Sequence, residues 1–241
     1  MKHLLLTVII ALTMGVPLVA GGAAEEVRIG APGEKARLIV GIEEGEEYLH
    51  KLRVLPLVRI KSPPQLAIWL ETEEGTFVET LYVTGRTGEQ SWRSAPLDET
   101  PSEDIRRPEA LPVWQHRSLE EELDGRTAAT PKGGYEIAVG DFEVDRPLRI
   151  YLEVNHSTDF NERYPKEASE DSPFYSGGPS GSGQPSLVYT ALLEPGNEET
   201  VIMEPLGHGS PDGSDGQIRR SLEGLTTARS ILDRVEVTPQ D

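Results

Sequence analysis

The clearest hydrophobic pattern in the chain runs from Leu148 to Val154, where every second residue of LRIYLEV is aliphatic. Strict alternation of this kind is typical of a β-strand with one face buried and one face in water. The polar run NHSTDFNE follows directly, and a second apolar segment begins at Ser186 after the glycine- and serine-rich stretch SGGPSGSG. We predict that the two segments pair and carry a polar, outward-facing rim at one end.

Several other segments show strand character. Gln65–Leu70 and Thr76–Thr84 are joined by ETEEG, which predicts a β-hairpin with Trp69 in the core. Tyr48–Lys61 alternates around Pro56, and a proline inside a strand favours a bulge or an edge position. The remaining predicted strands are Val27–Ile29, Leu38–Ile42, Tyr135–Asp141, Thr200–Leu206 and Val235–Thr238.

The connections differ in character. Gly85–Glu122 lacks periodicity, so we expect a long crossing loop, anchored by Trp92 and Trp114, with a helical turn near residues 108–111. Gly207–Gly216 has the composition of a mobile loop. Leu222–Leu232 predicts a short helix capped by Thr226.

About nine or ten strands with little helix favour an all-β fold. The pattern predicts an immunoglobulin-like antiparallel β-sandwich with long loops and one short C-terminal helix. A closed barrel is the alternative architecture.

The first 24 residues read as a secretory signal peptide. A Lys/His start, an apolar run to about Val16 and small residues up to Ala24 form the usual three regions. We therefore expect a periplasmic or secreted protein, with residues 25–241 forming a single sandwich domain. The apolar run is shorter than a membrane span, and no second one follows, so we expect no membrane insertion after cleavage.

Composition excludes several kinds of chemistry. The chain has no cysteine, which rules out disulfides, thiolate catalysis and cysteine-ligated metals. A formal net charge of −18 repels phosphate backbones, so we predict no nucleic-acid partner.

Catalytic signatures are weak. The histidines of the predicted domain have no short metal-ligand spacing, and the sequence has no G-x-S-x-G nucleophile motif. The acidic loops lack the spacing of a twelve-residue calcium loop. A metal-dependent periplasmic enzyme stays open as one alternative, but we expect no enzymatic activity and no resident metal.

Eight short segments together resemble a family of predicted periplasmic bacterial proteins of unknown function. They are QLAIWLE, FVETLYVT, ALPVW, DGRTAATP, LEVNHSTDFNE, GQPSLVY, GHG and GLTTARSI, in that order. Some members of that family occur beside flavin transferases and PepSY-type membrane reductases. The resemblance implies an exported β-sandwich and a possible membrane-bound or periplasmic redox partner.

One segment also resembles the D-x-x-[ST]-G-A-T motif of covalent flavin carriers, whose last threonine accepts FMN through a phosphoester. Asp124, Thr127 and Thr130 match the motif, and Ala129 matches its alanine. Ala128 stands where the motif has glycine, a residue that lets the backbone adopt positive φ. The resemblance implies a flavin-binding set of Asp124, Thr127 and Thr130, whereas an ordinary turn before a strand explains the same residues.

The function predicted from these observations is that of a non-enzymatic exported binding or accessory protein. Its association with extracytoplasmic flavin or electron-transfer systems follows from the resemblance alone. Polar loops presented by a rigid sandwich are common recognition surfaces. The predicted ligand-binding residues lie in such loops and at their borders: Asn155, His156, Asp159, Asn161, Gln184, Tyr189 and His208. If they bind a partner, alanine substitutions there should leave stability nearly unchanged.

Overall fold

The computed structural model describes residues 25–30, 35–55, 58–92, 105–118, 123, 126–140 and 144–240. The strands are, in chain order, β1 (Glu25–Ile29), β2 (Leu38–Glu44), β3 (His50–Leu55), β4 (Val58–Ser62), β5 (Gln65–Thr72), β6 (Phe77–Thr84), β7 (Thr127–Ala128), β8 (Tyr135–Val139), β9 (Leu148–Asn155), β10 (Leu187–Leu193), β11 (Val201–Ile202), β12 (Glu204–His208) and β13 (Leu232–Pro239). The helical segments are α1 (Gly85–Gly88), α2 (Pro112–Arg117) and two 3₁₀ turns, Gly178–Ser180 and Thr227–Ser230.

These strands form two main sheets and one separate hairpin. The five-stranded sheet has the order β1-β8-β2-β13-β11, and the six-stranded sheet has the order β12-β10-β9-β5-β6-β7. Most neighbours are antiparallel, while β1 with β8 and β6 with β7 are parallel. The predicted all-β sandwich is confirmed.

Both sheets contribute to one apolar core. Leu38, Val40 and Ile42 alternate along β2, and their side chains belong to the same buried cluster as Ile150 and Leu152 of β9. Burying apolar surface in this way stabilises a fold by about 25 cal/mol per Å². The pairing predicted from the alternation is also observed, since β9 pairs with β10 from Leu148–Leu193 to Val154–Leu187.

The prediction that β9 is only half-buried is wrong. Every residue of β9 except Arg149 is buried, and so are the first seven residues of β5. The outer face of the six-stranded sheet is covered by a second apolar cluster that includes Trp69, Tyr151 and Trp114. The indole of Trp69 stacks on Tyr151 with ring centroids 5.2 Å apart.

Part of the cover comes from the connection between β6 and β7. Trp114 in α2 donates its indole N–H to Thr80 Oγ1 at 2.9 Å, and Trp92 is also buried. The predicted anchoring is thus confirmed for Trp114, whereas Trp92 pairs with Ile105 of the same connection. The helical turn begins at Pro112, just after the expected residues, because proline is well suited to the first turn of a helix.

Tyr48–Lys61 is not one interrupted strand. The chain reverses between Leu55 and Val58, so β3 and β4 pair antiparallel, with Leu52 opposite Ile60. Pro56 lies outside the described residues. Within the described chain this hairpin pairs with neither main sheet.

Two loop predictions also change. The C-terminal helix is a 3₁₀ turn, and the side chain of Thr226 makes no capping hydrogen bond to it. Gly207–Gly216 is packed against the body of the protein, with Gly209, Ser210 and Gly213 buried. Gly213 has φ +75°, and a Cβ at this position would stand 2.3 Å from the carbonyl carbon of Pro108.

No helix in the described parts of the chain is long and apolar enough to cross a membrane.

Candidate functional site

The predicted polar rim is a buried network. Gln184 donates from Nε2 to Asp159 Oδ2 at 2.8 Å, and the Thr227 hydroxyl donates to Asp159 Oδ1 at 2.7 Å. On its other side, Gln184 Oε1 accepts from the backbone N–H of Thr226 at 2.6 Å. These bonds tie the loop after β9, the segment before β10 and the second 3₁₀ turn into one unit. Thr226 therefore connects to Gln184 instead of capping a helix.

Three more predicted residues lie at the same end of the sheet. Asn155 donates from Nδ2 to the carbonyl of Gln184 at 3.5 Å, and Asn161 donates to the carbonyl of Gly224 at 2.9 Å. His156 Nε2 lies 3.0 Å from the carbonyl of Glu47, which requires a proton on that nitrogen. Burial, with a smaller contribution from the nearby His50, lowers the pKa of His156 to about 4. The imidazole is therefore neutral at physiological pH.

Tyr189 and His208 lie farther along the strands. The Tyr189 ring belongs to the core between the sheets, and burial raises its pKa to about 12. His208 Nδ1 lies 2.7 Å from the carbonyl of Gly209, and its backbone pairs with Arg219. Burial also lowers the pKa of His208.

The expectation that the rim faces outward is wrong. Six of the seven predicted ligand-binding residues are buried, since the surrounding loops cover the end of the sheet. Asn161 alone is half-buried. Ligand binding by these residues stays a prediction, but their contacts first of all hold the loops together.

The flavin-motif segment is part of the six-stranded sheet. Thr127 and Ala128 form β7 and pair with Val83 and Thr84, so the residue in the glycine position of the motif is held in a strand. Thr130 is 9% exposed, and its Oγ1 lies 2.7 Å from Thr84 Oγ1 and 3.4 Å from the Tyr82 hydroxyl. Asp124 lies outside the described residues.

Thr130 also lines a cleft of about 450 Å³ between the β3–β4 hairpin and the end of the six-stranded sheet. One wall is the hairpin and the Ser62-Pro63-Pro64 turn after it, and the other is β7 with α1. The lining residues are Leu52, Ile60, Lys61, Ser62, Pro63, Pro64, Gln65, Thr84, Gly85, Arg86, Glu89, Trp92, Ala128, Ala129, Thr130 and Ser157.

Strand alternation decides which hairpin side chains face this cleft. Leu52 and Ile60 are direct partners across the hairpin and share one face, which lines the cleft. Lys61 is the next residue along β4, and it lines both this cleft and a second, acidic pocket formed with residues 44–51.

The cleft also has a buried polar floor. Gln65 and Trp92 are 8% and 7% exposed, and Gln65 Oε1 and Trp92 Nε1 have no hydrogen-bond partner among the described residues. The Arg107 guanidinium lies over the Trp92 ring at 4.9 Å, donates to Ser157 Oγ at 2.6 Å and pairs with Glu109 at 2.9 Å, while its Nη2 also has no partner among the described residues. A buried polar group without a partner costs about 1–3 kcal/mol, so this floor favours an occupant that can hydrogen-bond to it.

No protein-family model, curated protein or solved structure matches this chain. Among the described residues there is also no group of three or more His, Asp or Glu side chains placed to hold a metal ion.

Sequence reasoning missed the cleft because its walls come from segments far apart in the chain. Leu52, Gln65, Trp92 and Ser157 share no local motif, and only the fold brings them together. The flavin-motif segment around Thr130 is the one sequence feature that pointed to this region, because it forms part of the cleft wall.

A second buried group also escaped the sequence reasoning. Glu153 on β9 is fully buried and accepts hydrogen bonds from the Ser186 hydroxyl at 2.5 Å and from the backbone N–H groups of Val113 at 3.2 Å and Trp114 at 2.8 Å. It holds the start of α2 against the sheet. Burial outweighs these hydrogen bonds and raises its pKa to about 7.

Proposed function

We propose that this protein is a non-enzymatic binding or accessory module of the periplasm or extracellular space, and that the cleft is its ligand site. The single observation that supports the proposal most is the cleft itself, which has an apolar wall formed by Leu52 and Ile60 and two lining atoms without partners in the described chain. Ligand sites are commonly concave and mostly apolar, with a few polar groups that fix orientation.

The compartment and the partner form part of the same proposal. The signal-like N-terminus supports export, and the resemblance to periplasmic proteins encoded beside membrane reductases supports a redox partner in the membrane or the periplasm. The strongly acidic composition is compatible with both, since it favours solubility.

The cleft should bind the uncharged dye 1-N-phenylnaphthylamine, and Ala129→Trp should abolish binding. Ala129 lies in the cleft wall and is exposed, so a large side chain fits on the surface while filling the space. Dye fluorescence, excited where tryptophan does not absorb, measures the binding.

Ser169→Trp is the matched control, because it adds the same side chain at an exposed loop position outside the cleft. Equal dye binding by both variants, with unchanged melting temperatures, would show that the dye does not use the cleft.

A covalent FMN carrier modified at Thr130 is the second candidate, and the position of Thr130 in the cleft wall is the observation that favours it. The folded Thr130 segment meets the requirements of covalent FMN attachment only in part. The hydroxyl is hydrogen-bonded to Thr84 and almost fully buried, and Ala128 cannot relax as glycine would. Attachment would require this segment to open for the transferase.

If the protein carries flavin, the form co-expressed with its native transferase should gain the mass of one FMN on the Thr130 peptide and absorb visible light. Thr130→Val keeps the side-chain shape but removes the acceptor oxygen, so both signals should disappear. Intact-mass and peptide mass spectrometry provide the measurement. An unmodified wild-type peptide would eliminate this candidate and leave the binding-module proposal in place.

A further inference from the structure

We propose that the ligand of the cleft is an uncharged amphiphile, with an apolar body and a head group that can both donate and accept a hydrogen bond. This inference rests on the proposed function, because it assigns a ligand class to the same site. Three features of the cleft lead to it: its apolar wall, its charge balance and the unused hydrogen-bonding capacity of its floor.

The apolar wall is exposed to an unusual degree. Ile60 is 48% exposed, and in the described chain Ile202 is the only other large hydrophobic residue with a comparable exposed fraction, 49%. Ile202 lies on the edge strand of the other sheet, whereas Ile60 faces the cleft beside Leu52. An apolar ligand in the cleft would remove the Ile60 side chain from water.

The charges along the cleft offset each other. Arg86 and Glu89 lie three residues apart in the same wall, and both are exposed at its mouth. Lys61 lines both the cleft and the acidic pocket with its three glutamates, and the buried Arg107 is paired with Glu109. Because these cations already have acidic neighbours, a charged ligand would lose hydration in the apolar part of the cleft without gaining a counter-ion of its own, which is unfavourable.

The floor requires a head group with both kinds of hydrogen-bonding atom. Trp92 Nε1 is a donor and Gln65 Oε1 is an acceptor, and neither has a partner among the described residues. Two hydroxyl groups of the lining are already engaged, since Thr130 bonds to Thr84 and the Ser157 hydroxyl accepts from Arg107. A primary amide matches Trp92 Nε1 and Gln65 Oε1, because its carbonyl accepts and its N–H₂ donates.

The hairpin can adjust to such a ligand. Within the described chain it forms a two-stranded sheet of its own, and a lone hairpin is held less firmly than a strand inside a larger sheet. Its base is positioned by His50, whose ring lies 5.2 Å from that of His156. A small movement of the hairpin would bring Leu52 and Ile60 onto the ligand without disturbing either main sheet.

Three probes that share one alkyl chain test the proposal: octanamide, octanoate and octylammonium. Displacement of 1-N-phenylnaphthylamine from the full-length mature protein at neutral pH gives their relative affinities. We expect octanamide to bind at least about tenfold more tightly than either charged probe, because burial of an uncompensated charge is costly. Gln65→Leu should weaken octanamide binding and reduce this preference.

Ile60→Ser and Ile202→Ser form the matched pair for the apolar wall, since the two isoleucines are equally exposed in the free protein. Ile60→Ser should weaken octanamide binding about tenfold, as expected for loss of apolar burial at about 25 cal/mol per Å², and Ile202→Ser should have no effect.

The outcomes separate this inference from the proposed function. Tighter binding of octanoate or octylammonium, or equal effects of the two serine variants, would overturn the uncharged-amphiphile proposal while the cleft remains a binding site. Failure of both the dye and all three probes to bind would overturn the proposed function together with this inference.

Discussion

Glu153→Ala should lower the free energy of unfolding by about 3–5 kcal/mol, because it leaves three buried donors without an acceptor. The Ser186 hydroxyl and the backbone N–H groups of Val113 and Trp114 all bond to this carboxyl group. The surroundings are closely packed, since a Cβ on Gly209 would stand 2.6 Å from Ser186 Oγ and 3.1 Å from Glu153 Oε1. Urea unfolding followed by tryptophan fluorescence measures the loss.

Glu153→Gln is the comparison for pH dependence, because it keeps the shape and removes the titration. Its N–H₂ cannot accept from one of the two backbone N–H groups, so we also expect a loss of stability that does not vary with pH. The pKa of Glu153 is raised to about 7 in the folded protein from an ordinary value of 4.5. The folded state therefore binds the proton more tightly than the unfolded state. The stabilisation from this tighter proton binding by Glu153 is fully present below about pH 4.5 and is lost as the pH rises through 7.

His156 acts in the opposite direction, since its folded pKa of about 4 lies below the ordinary 6.5. Because the folded state resists protonation of His156, the free energy of unfolding decreases as the pH falls from 6.5 towards 4. In the wild type the two groups partly offset each other between about pH 4.5 and 6.5, and in Glu153→Gln the His156 effect stands alone. Parallel pH profiles for wild type and Glu153→Gln would show that Glu153 does not titrate in this range.

Gln184→Ala should destabilise the protein by about 2–4 kcal/mol, contrary to the sequence-based expectation that alanine substitutions in this region leave stability unchanged. Its amide bonds to Asp159, Thr226 and Thr227 and is 1% exposed. Removing it leaves the buried Asp159 carboxylate with fewer partners and the Thr226 N–H without its acceptor. Thermal unfolding measures the effect.

Glu162→Ala provides the comparison, since Glu162 is an exposed residue of the same loop. It should change the melting temperature very little. Equal stability of Gln184→Ala and Glu162→Ala would show that the network is dispensable and would return Gln184 to the set of free recognition residues.

The fold could be predicted to the level of its layers. Alternation in β2 and β9 identifies residues that face the shared core, and the ETEEG segment marks the β5–β6 turn, because both signals are local. The apolar cluster that covers the outer face of the six-stranded sheet could not be predicted from the sequence. It depends on where the connection carrying Trp114 and the loop after β12 fold back, and these are long-range contacts.

The same dependence on long-range contacts explains why the predicted exposed recognition residues are buried in the structure. Asn, Asp and Gln after a strand are typical of both solvated recognition loops and buried loop-to-loop networks, and composition does not separate the two. Gln184 and Thr226 lie 42 residues apart, so their bond has no signature in the local sequence. Thr130 was singled out for a motif, yet its neighbours in the cleft come from four other segments of the chain.

The hairpin formed by β3 and β4 has a consequence for how this protein could diversify. It supplies one wall of the cleft but shares no strand pairing with the sandwich in the described chain. Changes in its length or side chains would thus leave the register of both sheets intact. Exchange of this one segment offers a route by which related proteins could acquire different ligand preferences on an unchanged scaffold, and grafting hairpins at the same position could serve protein engineering in the same way.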